Sequence, residues 1–340
     1  MRRFYFITII NYLLLIITAF NASAQLKWQN VDSLYQPLPS SVHIYFTDSP
    51  IDTGKFRAYY LIADLKDKKL DFTADTAYKR RLTPSQFYTK GFDPYKLYEV
   101  AFKFPLLVVN TTFFSFATNQ NLNVVIKDKK LVSYNIHTIN GRGKDTFTYR
   151  HVFGSAIGIS KKRKPDIAWL YADSTEKYAY ASQYIIQPFK DSVSRHGLAR
   201  MRKITASHIV HYTWLLRKWK MQTAVGGGPV LLQNGEINIT NEQELKFTGK
   251  AINDKHPRTA MGYTKDDKLI ILVIEGRNKN ADGATLTQEA QIFKDLGCWE
   301  ALNLDGGGSS CMLVNGKETI KVSDAAGQRP VPAVFIIRSK

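Results

Sequence analysis

Near its C-terminus the chain reads Leu302-Asn303-Leu304-Asp305-Gly306-Gly307-Gly308-Ser309-Ser310: a carboxylate, three glycines and two hydroxyls behind an apolar run. Consecutive glycines cost backbone entropy on folding and bury no side chain, so the stretch needs a reason other than stability. One reason is a tight turn between strands; the other is a ligand that must approach the backbone. A second triple, Gly226-Gly227-Gly228, raises the same question. A Walker-type phosphate loop would end in Gly-Lys-Ser/Thr and enter a helix. Here Ser309-Ser310 lead into Cys311–Val314 and an Asn315-Gly316 turn, the pattern of a strand. A hydrolase nucleophile elbow, Gly-x-Ser-x-Gly, lacks its last glycine because Cys311 stands there. What survives is a nest of backbone N–H groups for an anion or a sugar. Gly227, Gly228, Gly306, Gly307 and Gly308 would supply it, with Asp305 at a strand end to act on what is bound.

The elements around these loops are mainly strands. Val42–Phe46 and Phe56–Leu65 read as strands, as do Leu106–Val109, Val152–Ser160 and Asp166–Tyr171. Hairpins are expected around Asp128-Lys129, around Asn234-Gly235 and between Thr259–Thr264 and Leu269–Glu275. The clearest helix is Leu286–Leu296: Thr285 and Gln288 have capping-box spacing, and Gly297 suits the C-terminal cap. Ala301–Leu304 then forms a buried strand that ends at Asp305, and Val331–Ile337 closes the sheet. The predicted class is α+β, with mixed, largely hairpin-linked β-sheets and a few flanking helices.

Three segments follow from the pattern. Arg2-Arg3, an apolar run from Phe4 to Phe20 and Ala22-Ser23-Ala24 read as a cleaved signal peptide over 1–24. Residues 25–100 form an N-terminal extension expected to pack on the main domain of 101–340. Export to the periplasm or beyond follows from the leader, and no second run is apolar enough to span a bilayer. The formal charge of +18 favours anionic partners, with nucleic acid excluded as a partner for an exported protein. Cys298 and Cys311 are the only cysteines, too few for a disulfide scaffold; free burial is the expected state. His208-x-x-His211 has metal-like spacing but no third ligand nearby. No cofactor is predicted, although a divalent cation in the main cleft would leave no clear spacing signature among Asp and Glu.

Seven blocks occur in order: "VVNTTFFS" (108–115), "AVGGGPVLLQNGE" (224–236), "HPRTAMGY" (256–263), "IEGRN" (274–278), "GATLTQEA" (283–290), "LGCWEALNLDGGGSSCMLVNG" (296–316) and "GQRPVPAVFII" (327–337). In this order they resemble the phosphodiester glycosidase family, over roughly residues 100–338. The resemblance implies a hydrolase that cleaves a sugar–phosphate linkage at the glycosidic C–O bond, with the motif residues lining one cleft. Its substrate would be a phosphorylated glycan or a sugar-phosphate diester. The family's Asn-Ala/Gly-x-Phe-Phe block stands here as Asn110-Thr111-Thr112-Phe113-Phe114, a departure that bears on pocket width.

Glycoside cleavage normally uses two carboxylates, one as acid and one as base or nucleophile. A phosphate leaving group, with a second pKa of about 6, departs without much protonation. Cations that hold it then matter more than a strong acid. On this reading Asp305 acts at the anomeric carbon, as base or nucleophile. Glu275 is either its partner or one half of a buried ion pair with Arg277. Arg258 and Arg277 are the phosphate forks, with Arg329 a third candidate. His256 either donates to the leaving oxygen or is structural. Asn110 and Asn303 either bind sugar hydroxyls or cap backbone, and Ser309 and Ser310 bind phosphate or support Asp305. The competing reading is a glycan-binding protein without catalysis, used in surface polysaccharide assembly or sensing; paired acids and arginines favour the enzyme.

Overall fold

A computed structural model describes residues 26–78, 80–90, 104–207 and 216–340. The leader, residues 91–103 and the His208/His211 pair lie outside the described residues. Among those described, the strands form sheets of eight, seven, five and three, and every pairing between them is antiparallel. The fold is thus β-rich with few helices, and no described helix is long and apolar enough to cross a membrane.

The hairpins follow their turn chemistry. Asn234-Gly235 joins Val230–Gln233 to Glu236–Ile237, and Asn315-Gly316 joins Met312–Val314 to Lys317–Glu318. Each Asn-Gly pair has both φ angles positive, the backbone that matches the twist of paired strands. Helix Leu286–Asp295 begins at a capping box of Thr285 and Gln288, as its spacing requires, and Gly297 beyond it is left-handed.

Residues 42–76 do more than lie against the later chain. Strand Ala58–Asp64 pairs with Lys268–Ile274 along seven residues of the large sheet. Strand Leu70–Thr76, absent from the sequence reading, pairs with Ala333–Ser339. Its alternation Leu70, Phe72, Ala74 places those three in the central core. The N-terminal extension therefore shares hydrogen-bonded sheets with the family-like segment, and its removal would strip two sheets of edge or interior strands.

The central core lies where the three larger sheets meet, with Leu61 and Ile271 from the eight-stranded sheet, Ile157 and Val225 from the seven-stranded one, and Leu107 and Phe335 from the five-stranded one. Helix Leu286–Asp295 covers the opposite face of the eight-stranded sheet through Leu286, Ala290 and Phe293. Cys298 and Cys311 are free and buried, in different core clusters.

Candidate active site

Asp305 follows strand Cys298–Asn303, an interior strand of the eight-stranded sheet. Three motif blocks are stitched together there. The Asp305 amide donates to the Thr111 carbonyl (2.7 Å), the Asn110 side chain donates to the Asp305 carbonyl (2.5 Å), and the Gly307 amide donates to the Pro257 carbonyl (2.8 Å). The loop continues as a single short turn, Gly307–Ser309, and then enters strand Met312–Val314.

The glycines make room for guanidinium groups. Gly307 is left-handed (φ 61°), and a Cβ on it would stand 3.2 Å from Arg277 Nη1. On Gly308 a Cβ would overlap Arg329 Nη2 and Asp324 Oδ1. Two arginines thus rest on consecutive glycines beside Asp305. Arg329 is forked onto Asp324 at 2.7 Å through two nitrogens, and its guanidinium also lies over the exposed Phe116 ring. Arg277, itself left-handed (φ 61°), donates from Nη2 to His256 Nδ1 at 3.1 Å. An arginine can only donate, so this bond leaves the neutral imidazole with its proton on Nε2.

Among the described residues, Asp305 is one of three carboxyls whose protonation burial shifts strongly. Burial pushes its carboxyl up to about 7, against the opposing pull of the Ser309 hydroxyl, the Arg329 charge and the Gly306 amide. His256 moves the other way: burial, Arg258 and Arg277 hold its pKa below the ordinary imidazole value. Near neutrality the loop therefore holds a carboxyl close to half-ionised and a neutral imidazole that can donate from Nε2. Three buried polar atoms on the same segments, Thr111 Oγ1, Thr112 Oγ1 and Asn303 Oδ1, have no hydrogen-bond partner among the described residues. Buried polar groups are rarely left so, and a cluster of them on two adjoining strand ends calls for water or a polar ligand.

Other residues singled out in the sequence serve as structural ties. Asn110 is buried, and its Oδ1 accepts from Thr259 Oγ1 and from the Cys311 amide while Nδ2 holds Asp305. Ser310 Oγ joins the same cluster through Thr259. Asn303 Nδ2 donates to the Gly228 carbonyl, and the Gly228 amide donates back to the Asn303 carbonyl. The second glycine loop is thereby fixed to the Asp305 strand, with Gly227 packed on Leu304. Glu275 is buried away from Arg277: Asn278 Nδ2 and the Lys321 amide occupy its two oxygens, and no ion pair between Glu275 and Arg277 is present among the described residues.

Arg258 also goes elsewhere, for a reason of register. Side chains alternate across a strand, so Arg258 shares the face of Ala260, which is covered by helix Leu286–Asp295, while Thr259 faces Asn110 and Ser310. Arg258 Nε donates to the Ala284 carbonyl (2.9 Å) and Nη2 to that of Asp254, and its charge lies near buried Glu289, whose own carboxyl burial lifts to about 8. Arg258→Ala should therefore destabilise the fold by about 1–2 kcal/mol, by removing the hydrogen bonds to the Ala284 and Asp254 carbonyls and taking a positive charge away from the buried Glu289 carboxyl. Thermal melting checks this. A variant as stable as the parent would show that Arg258 is no structural tie.

Asp324 and Lys246 carry no motif signal and were not singled out. Asp324 is the second carboxylate brought to the glycine loop. Lys246 lies with Phe113, Asn123, Glu244 and Phe247 around a cavity of about 340 Å³, beside the Gly228 turn. Burial lowers the Lys246 pKa, opposed by Glu244. Glu244 itself is saturated, accepting from Ser155, Thr240, the Val230 amide and Trp169. This cavity adjoins the Thr111–Phe114 segment that receives the Asp305 amide.

The sequence profile of the phosphodiester glycosidase family matches residues 105–338. The chain therefore belongs to the phosphodiester glycosidase family. Over 94 residues it is 33% identical to mouse N-acetylglucosamine-1-phosphodiester alpha-N-acetylglucosaminidase, a match covering 25% of this chain and 18% of the mouse protein. Over 85 residues it is 38% identical to the SPbeta prophage-derived uncharacterized protein YomE of Bacillus subtilis, covering 25% of this chain and 13% of YomE. Both matches span less than a fifth of the relative's length. In fold it is similar to the zebrafish N-acetylglucosamine-1-phosphodiester alpha-N-acetylglucosaminidase catalytic domain auto-inhibited by its pro-peptide, at TM-score 0.57 and 20% identity over 93% of this chain and 89% of that one. A hypothetical protein from Synechocystis matches at the same TM-score with 14% identity, over 92% of this chain and 64% of the other.

Proposed function

We propose that the protein is an exported hydrolase that cleaves the glycosidic C–O bond of a sugar-phosphate diester, with Asp305 as general base. The observation that carries this reading is one carboxyl near neutral pKa beside two guanidinium groups seated on consecutive glycines. Arg277 and Arg329 would hold the bridging phosphate, and His256 Nε2–H would hydrogen-bond the departing oxygen. Water adds its oxygen to the anomeric carbon as Asp305 takes its proton. The C–O electron pair leaves with the phosphate, giving a free sugar and a phosphate monoester. A base is most effective when its pKa lies near the working pH, which suits Asp305.

Hydrolysis of a panel of sugar-1-phosphate diesters by the purified protein tests the reaction class. Turnover of a diester with release of the reducing sugar supports it; saturable binding without turnover of any panel member would favour the glycan-binding reading. Proton NMR of the first-formed sugar tests the role of Asp305: inversion is expected for a base, and retention would make it the nucleophile. Export rests on the leader pattern, and N-terminal sequencing of the protein from its native host should begin near Gln25. A soluble cytoplasmic form with intact Met1 would overturn export.

A further inference from the structure

The three-stranded sheet carries a different set of side chains from the glycine loops. Strand Tyr149–His151 lies between Thr138–Asn140 and Phe189–Asp191, which places His151 across from Thr138 and Phe189. His151 Nε2 lies 3.1 Å from Asp191 Oδ1, and His196 Nε2 lies 2.7 Å from Asp191 Oδ2. Both imidazoles are buried, with ring centroids 4.6 Å apart, and the carboxylate between them is partly exposed. All three donor atoms fall within 4.8 Å of one another. None of the three belongs to a block that carries the family resemblance.

Two hydrogen-bonded ion pairs would satisfy this carboxylate, but the geometry also fits a cation in place of the two ring protons. Imidazole nitrogen and carboxylate oxygen bind zinc at about 2.0–2.2 Å, which sets tetrahedral ligand–ligand edges of about 3.3 Å. The nitrogen–oxygen separations lie within about 0.6 Å of that edge, and the two ring nitrogens, within 4.8 Å of each other, would close towards it by rotation of both imidazoles. Thr138 Oγ1, 3.2 Å from His151 Nδ1, can accept the Nδ1 proton and so free Nε2 as a lone pair. One side of the cluster opens on a cavity of about 330 Å³ whose lining includes His137, Asp173 and Arg195. That cavity supplies an entry path and room for a fourth ligand.

We propose that His151, Asp191 and His196 form a binding site for a divalent transition metal of the zinc class, with an open coordination position facing this cavity. Two histidines and one carboxylate with a vacant place are a donor set for such ions rather than for calcium or magnesium, which prefer oxygen. The site is independent of the glycosidase reading, since it uses no residue of the Asp305 loop.

The test uses the full mature chain, stripped with chelator and titrated with Co²⁺ and Zn²⁺ by equilibrium dialysis. One equivalent should bind, with the visible absorption of low-coordinate Co²⁺ and release of protons as the ring N–H groups are replaced. His151→Gln, His196→Gln and Asp191→Asn should each weaken binding at least 10-fold, and Thr138→Val about 10-fold through loss of the Nδ1 partner. X-ray absorption of the zinc-loaded unmutated protein gives a readout that does not depend on any variant folding: two imidazoles and at least one oxygen are expected. The double variant His208→Ala/His211→Ala should keep full affinity. Absence of saturable binding, a first shell without two imidazoles, or binding lost only in the His208/His211 variant would each overturn the proposal.

Discussion

Asp305→Asn should lower kcat by about 10²–10⁴-fold on a sugar-phosphate diester, the usual worth of a positioned general base. KM should move little, because the amide keeps the shape of the loop and the arginines still meet the phosphate. In the parent protein, kcat should rise with pH through an inflection near 7, the value to which burial lifts the carboxyl. The same substitution should stabilise the fold at alkaline pH. The folded carboxyl holds its proton up to about 7, whereas the unfolded one loses it near 3.8. Between those values the native state binds more protons, so stability falls as pH rises and levels off above about 7. Asparagine carries no charge there, so at pH 8 the variant should gain about 1–3 kcal/mol, a gain that shrinks towards pH 4. Melting curves at the two pH values read this directly. A variant with full activity, or one less stable than the parent at pH 8, would remove the buried, half-ionised base from the account.

The second large effect is expected at Arg277. Its guanidinium rests on Gly307 and sets the His256 tautomer, so Arg277→Ala removes a phosphate contact and frees the imidazole at once. On a diester, kcat/KM should drop about 10–100-fold, equivalent to about 1–3 kcal/mol for a charge-assisted hydrogen bond. On a substrate with the same sugar and a neutral activated aglycone the loss should be clearly smaller. Equal losses on both substrates would take Arg277 out of the phosphate site. Arg258→Ala gives a contrast: its main effect is read in melting temperature, and any effect on rate passes through His256, whose pKa the Arg258 charge helps hold down, rather than through a phosphate contact.

The contrast between these arginines shows what the sequence could and could not disclose. Asn-Gly turns and the Thr285/Gln288 capping box are local signals, and the hairpins and helix they mark stand where expected. The convergence of His256, Arg277 and the Asp305 loop is what the family resemblance implies, and direct contacts join them. Arg258 and Glu275 sit in equally marked blocks, yet both are buried ties. A motif fixes residue type, but which side of a strand end a side chain leaves by depends on register with neighbours far away in sequence. Asp324 and Lys246 were hidden for the converse reason: each lies in a loop with no periodic pattern, and only the tertiary fold brings it to a glycine loop. Strand Leu70–Thr76 was readable in principle, since its alternation of Leu70, Phe72 and Ala74 is a period-two pattern, but its aspartates and threonines masked it.

The Asn110 side chain grips the Asp305 carbonyl, the Thr259 hydroxyl and the Cys311 amide together, so the Asp305 loop is knotted to strands of two sheets. Loops that open to admit a substrate are drawn from the least protected parts of a protein, and this one is not. In deuterium exchange the Asp305 and Cys311 amides should therefore persist among the slowest in the chain, opening only with the whole domain. On the proposed function, a scaffold of that kind would separate chemistry from choice of substrate: the Asp305 loop would stay fixed, and changes in what is accepted would come from the rim. The segment from Phe113 to Phe116 and the approach to Arg329 would be the places to graft a new specificity, while the aspartate loop should tolerate almost no redesign.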